Sequence, residues 1–137
     1  MSLTEKCYSS QEQQYDKIIY RRSKDWIMLV DFDSIDEVRI DGMDGGEGSV
    51  YARMDMGPEG RFVLCRIAPG SSIGSHVQKG SVDINYVVSG IGHAVCNGVT
   101  EQLKPGVCHV CPPGGKHSII NDGDSDLVLF TAVRYLE

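Results

Sequence analysis

Residues 83–121 read DINYVVSGIGHAVCNGVTEQLKPGVCHVCPPGGKHSIIN. Short apolar-rich runs fill this stretch, at residues 83–88, 91–96, 99–103, 107–111 and 118–121, and each is stopped by glycine, proline or asparagine-glycine. Runs of four to six residues bounded by such breakers are the pattern of β-strands joined by tight turns. Asn97-Gly98 carries the sharpest local signal. Both residue types tolerate positive φ, which a two-residue turn between antiparallel strands demands.

Outward from this stretch the punctuation continues. Residues 49–56 and 61–68 read as strands separated by Gly57-Pro58-Glu59-Gly60, Pro69-Gly70 breaks the next connection, and residues 127–135 form the last run. Nothing alternates strand with helix, so a parallel sheet is excluded and an all-β sandwich or barrel is expected. The 16 glycines among 137 residues agree with many turns.

Ahead of the strands lies a polar N-terminal arm, residues 1–47. Within residues 9–24, Tyr15, Ile18, Ile19 and Arg22 recur at helical spacing, so a short helix is expected there. Residues 26–32 are continuously apolar until Asp31 and read as a strand. Residues 41–48, DGMDGGEG, lack the spacing of a phosphate-binding loop and precede a strand, so they read as a turn.

Charge and cysteine content narrow the function classes. The net charge is −6, and the one basic cluster is Arg21, Arg22 and Lys24, which argues against a nucleic-acid partner. No run spans a bilayer and no apolar leader opens the chain, so a cytoplasmic protein is expected. Five cysteines, an odd number, argue against a disulfide framework. Cys108 and Cys111 form a CxxC, but a separation of three on a strand puts the thiols on opposite faces, so they read as packing residues rather than a redox or zinc pair.

His76 and Gln78 are two apart, hence on one face if the chain is extended there. Asp83 opens the following strand, with Asn85 and Val87 on its face and Tyr86 and Val88 on the other. His117 follows the Pro112-Pro113-Gly114-Gly115 turn. Two imidazoles, a carboxylate and an amide oxygen suit Fe, Mn, Ni or Zn in the divalent state. His109 reads as a satisfied strand histidine, with a role behind the ligands or against substrate as the alternative. His93 belongs to a hairpin strand, and Tyr86 and Arg66 are candidates for the mouth of the site.

Residues 70–90, GSSIGSHVQKGSVDINYVVSG, resemble the first cupin motif: a glycine, five residues, His-x-His, a short spacer, a glutamate, six residues and a glycine. Gly70, His76 and Gly90 match; Gln78 stands in for the second histidine and Asp83 for the glutamate. Residues 106–121, GVCHVCPPGGKHSIIN, resemble the second motif, with Gly106, Pro112, Gly114, His117 and Asn121 all in place. The resemblance implies a double-stranded β-helix, or jelly-roll barrel, over residues 48–137. It further implies a homodimer, formed through strand exchange by the arm, and a divalent metal on His76, Gln78, Asp83 and His117. The two departures weaken the metal site. The function expected is a metal-dependent enzyme of dioxygenase or isomerase type acting on a small polar molecule. The alternatives are a non-catalytic small-ligand or metal-binding module, or metal-free histidine acid–base catalysis.

Overall fold

The computed structural model of the protein describes residues 19–20 and 29–136. Eleven strands occur among them: β1 (Ile19–Tyr20), β2 (Val38–Asp41), β3 (Ser49–Gly57), β4 (Gly60–Ile67), β5 (Ser72–Val77), β6 (Ser81–Ser89), β7 (Gly92–Cys96), β8 (Val99–Leu103), β9 (Cys108–Cys111), β10 (Lys116–Asn121) and β11 (Leu127–Tyr135). They form two sheets. One runs β1-β3-β4-β11-β6-β9 with β2 also on β3; the other runs β5-β10-β7-β8. Every pairing is antiparallel except β1 against β3. This is the expected jelly-roll barrel.

Period-two alternation fixes which faces meet. On β4, Val63, Cys65 and Ile67 are buried, and on β11 so are Leu127, Leu129 and Val133. From the other sheet Ile73, Ala94, Leu103 and Ile119 join the same apolar cluster. Asn97 and Gly98 both have positive φ, as their hairpin requires. The Asn97 side-chain oxygen accepts from the Lys116 amide at 3.0 Å, while the Asn97 amide donates to the Lys116 carbonyl at 2.9 Å. The hairpin tip therefore holds the start of β10, one residue before His117.

The strand edges differ from the sequence reading by a residue or two, and two strands, β2 and β5, were not read. Both are short and lack a dense apolar run, and β5 carries Gly74 and two serines. The helix expected over residues 9–24 is corrected at Ile19–Tyr20, the described part, which pairs with Asp55 and Met56 as a strand. Cross-strand pairing there overrides a helical spacing set by few residues. The rest of that helix lies outside the described residues, as do residues 26–28 of the expected strand. Residues 29–31 form no strand, and Phe32–Ser34 is a 3-10 turn capped by the Asp31 carboxylate.

The glycine-rich loop after β2 is a built part of the barrel wall. It contains the 3-10 turn Met43–Gly45 and packs on β5. A Cβ on Gly74 would fall on the Asp44 carbonyl oxygen, and one on Gly46 would fall on the Ser72 carbonyl oxygen. Both glycines are needed for this close approach. The pairing of β10 with β5 also shifts register: Ser118 alone faces Gly74 and Ser75 between the pairs His117–His76 and Ile119–Ile73. A bulge at this point bends β5 and re-aims His76.

Asn121 locks the end of β10. Its buried side chain donates to the Ile67 and Ser125 carbonyls, both at 2.8 Å, and accepts from the Gly123 amide at 2.8 Å. Asn121→Ala leaves those backbone groups without a partner, so urea denaturation should show a loss of about 1–3 kcal/mol.

Candidate metal centre

Three elements bring three of the four expected ligands, His76, Asp83 and His117, together. His76 lies on β5 and His117 is its direct cross-strand partner on β10. Asp83 comes from β6 in the opposite sheet, on the inward face it shares with Ser81, Asn85 and Val87. His76, Asp83 and His117 each offer one ligand atom, and these atoms lie within 4.8 Å of one another. The Nε2 atoms of His76 and His117 are 3.0 Å apart, and His117 Nε2 lies 3.1 Å from Asp83 Oδ2. The His117 side chain is fully buried and that of His76 is a quarter exposed, so the centre opens on the His76 side.

Gln78 is buried just beyond the end of β5. Its backbone is clamped to the Pro-Pro-Gly-Gly turn: its amide donates to the Gly115 carbonyl at 2.8 Å and its carbonyl accepts from Gly114 at 2.7 Å. Its side-chain nitrogen donates to Ser81 Oγ at 2.6 Å. The amide oxygen is the atom of this side chain suited to a cation.

The far nitrogens of both imidazoles are already committed. His76 Nδ1 donates to the Gly74 carbonyl at 2.8 Å, with Asp44 Oδ2 at 3.3 Å beside it. A carbonyl only accepts, so the proton sits on Nδ1 and the Nε2 lone pair points into the centre. His117 Nδ1 is 3.0 Å from His109 Nε2, and His109 Nδ1 is 3.1 Å from Glu101 Oε2. With His109 giving its own proton to Glu101, His117 donates through Nδ1 and turns its Nε2 lone pair inward as well. Two lone pairs and a carboxylate oxygen then meet at contact distance. That arrangement needs a positive charge among them, a proton or a metal ion, and its nitrogen and oxygen donors fit a divalent transition metal.

Burial pushes the Asp83 carboxyl up, but the hydrogen bond and charge of His117, the hydrogen bond from Asn85 and the Arg61 charge outweigh it and leave its pKa below the ordinary value. Sequence reasoning missed Asp44, which belongs to the glycine-rich loop and reaches His76 only because that loop packs on β5. His109 is a buried strand histidine with both ring nitrogens engaged, and it stands directly behind His117. Tyr86 and Val88 point outward as expected, with Tyr86 about half exposed. Arg66 stays away from the centre, bonded to Glu37 and Asp126 and stacked over Tyr51. His93 pairs with Asp122. Cys108 is exposed and Cys111 buried, on opposite faces as expected, and burial pushes the Cys111 thiol up to about 12, far from a reactive thiolate.

The profile of the cupin domain family matches residues 63–133, more than half of the chain. This protein belongs to the cupin family. Across 115 residues the cupin is 31% identical to the oxalate-binding protein of Thermotoga maritima, covering 80% of this chain and 95% of that protein. A solved structure titled a predicted oxalate decarboxylase from Thermotoga maritima superposes with a TM-score of 0.71 at 29% identity, over 80% of this chain and 100% of that one. An RmlC-like cupin from Shewanella frigidimarina shares the fold at 18% identity, with a TM-score of 0.67 over 81% of this chain and 93% of the other. No helix among the described residues is long and apolar enough to cross a membrane.

Since the Asp83 carboxyl is lowered on folding, its contribution to stability is complete above the unfolded-state value of about 3.9 and disappears as pH falls through the lower folded one. In chelator-treated protein, denaturation curves taken between pH 5 and pH 2 should therefore lose stability more steeply for the wild type than for Asp83→Asn. Equal slopes would show that Asp83 ionises alike in both states.

Proposed function

We propose that this cupin binds a divalent transition metal (Fe, Mn, Ni or Zn) through His76, Asp83 and His117, with Gln78 as a fourth ligand, and that the remaining positions take a small carboxylate of the oxalate type. The observation that carries this reading is the convergence of both Nε2 atoms and Asp83 while both Nδ1 atoms are occupied elsewhere. Charge supports the ligand class. One carboxylate and neutral donors leave a divalent metal with a net positive charge, which favours an anionic chelate over a neutral one. The relative named as an oxalate-binding protein supports the same choice.

When bound, the metal acts as a Lewis acid on the oxygens of its ligand. The chain's own residues do the rest. His117 and Asp83 close the buried side, His76 borders the open side, and Gln78 is held by Ser81 and the backbone of residues 114–115. Two imidazoles and one carboxylate are also the set that leaves positions open for dioxygen, which supports the dioxygenase or isomerase reading as the second one.

One series of measurements separates these readings. Protein loaded with Mn(II) or Fe(II) should hold close to one metal per chain by mass spectrometry, and His76→Ala and His117→Ala should each weaken binding at least tenfold. Calorimetry should then show oxalate binding to the loaded protein and none to chelated protein; equal binding to both would overturn the proposed site. Release of formate or carbon dioxide, or consumption of oxygen, would establish an enzyme. Binding without product would establish a ligand-binding module.

We further propose a homodimer through the outer face of β6 and β9. Tyr86, Val88 and Val110 are about half exposed there, and Val110 lies across from Ile84. Apolar side chains grouped on an edge strand and its neighbour favour a protein contact. Light scattering should give twice the chain mass for the wild type and a shift toward the single-chain mass for Val110→Glu combined with Tyr86→Glu.

A further inference from the structure

A row of polar side chains leads from the centre to the surface. His109, on β9, is fully buried, yet it faces Glu101 on one nitrogen and His117 on the other, at 3.1 Å and 3.0 Å. The two rings lie 5.2 Å apart between centroids at an interplanar angle of 30°. Glu101, on β8, shares a strand face with the buried Leu103 and is about half exposed. The row crosses between the sheets twice, from β8 to β9 and back to β10. Both nitrogens of His109 are engaged, so it is not a ligand itself.

We infer that Glu101 and His109 are positioning residues for His117. Glu101 accepts the Nδ1 proton of His109, His109 Nε2 accepts the Nδ1 proton of His117, and His117 is thereby held as the tautomer whose Nε2 lone pair faces the centre. This inference rests on the metal reading above for its consequence, metal affinity, but the tautomer itself needs no metal. An imidazole free to choose its tautomer would present Nε2–H to the centre for part of the time and would also turn about its Cβ bond. A proton acceptor behind Nδ1 removes both freedoms and makes the inner nitrogen a better donor. His76 has the equivalent support from the Gly74 carbonyl. The two ligands thus use different devices: a backbone carbonyl for His76 and a side-chain row ending in solvent for His117. The acceptor closest to His76 Nδ1 is backbone, whereas the whole row behind His117 is side chains open to substitution.

Glu101 is the informative position because it is half exposed and is not itself part of the core cluster described above. Glu101→Ala should leave chelated protein folded, with a modest drop in its unfolding temperature from the His109 N–H that loses its acceptor. Its affinity for Mn(II) or Co(II), measured by competition with a chelating dye, should fall about tenfold, within the range usual for groups behind metal ligands. Glu101→Gln, which keeps a carbonyl acceptor, should lie closer to the wild type. In chelated protein, imidazole 15N shifts should report His117 protonated on Nδ1 in the wild type and a mixture of tautomers in Glu101→Ala. Wild-type binding with Glu101→Ala within twofold of it, or a His117 tautomer indifferent to Glu101, overturns the inference and leaves the metal centre standing. Failure of the wild type to bind metal overturns the centre and the affinity effect, and the 15N shifts then decide the positioning role alone.

Discussion

The approach of two imidazole nitrogens to 3.0 Å, with a carboxylate oxygen 3.1 Å from one of them, is the constraint around which the rest is arranged. Lone pairs do not settle at such a distance without positive charge between them. Backbone register sets the approach: His76 and His117 are direct partners across β5 and β10, and the bulge at Gly74–Ser75 turns β5 at that point. The hairpin tip at Asn97 holds β10 one residue away. Closure of the barrel then brings β6, and with it Asp83, over the pair.

The barrel interior is divided along its length. The inner face of β6 runs Ser81, Asp83, Asn85, Val87, polar at one end and apolar at the other. The apolar end faces Ile67, Leu127, Leu129 and Ile119, which supply the hydrophobic stabilisation. The polar end holds Gln78, Asp83, Asn85, His109 and His117, all buried. Burying so many polar groups is tolerable only if each finds a partner. Among the described residues no buried side-chain nitrogen or oxygen is left without one. Asn85, for instance, accepts from Thr131 at 2.8 Å and lies within reach of the His109 carbonyl.

Strands β3, β4 and β6 to β11 were legible because breakers with a strong backbone preference punctuate them, and most of them alternate against a one-sided core. The hairpin at Asn97-Gly98 and the last strand fall where the sequence puts them. The same logic fails at β5, with its glycine and serines, and ahead of residue 48. Val38–Asp41 is a short run containing two charged residues, and it becomes a strand because the edge of β3 is available to it. Ile19–Tyr20 likewise pairs with β3, against the local helical spacing. Pairing with a distant segment decides both, and distance along the chain hides it.

The candidate centre divides in the same way. His76, Asp83 and His117 were found through spacing and motif, and alternation on β6 correctly sent Asp83 inward. His109 was half legible. On β9, Cys111 faces inward opposite Asp83, so His109, two residues away and opposite Asn85, must share that face. Alternation could therefore have given the direction of the ring. It could not give the neighbour, because β10 and β9 belong to different sheets and their side chains meet only across the interior. Asp44 lay further from reach. Its loop carries no periodicity, and its place beside His76 follows from Gly46 and Gly74 letting two backbones touch. Candidate ligands carried on regular strands announce themselves through period and spacing. The groups that stand behind them, His109 and Asp44, depend on contacts between layers, and such contacts leave no period in the chain.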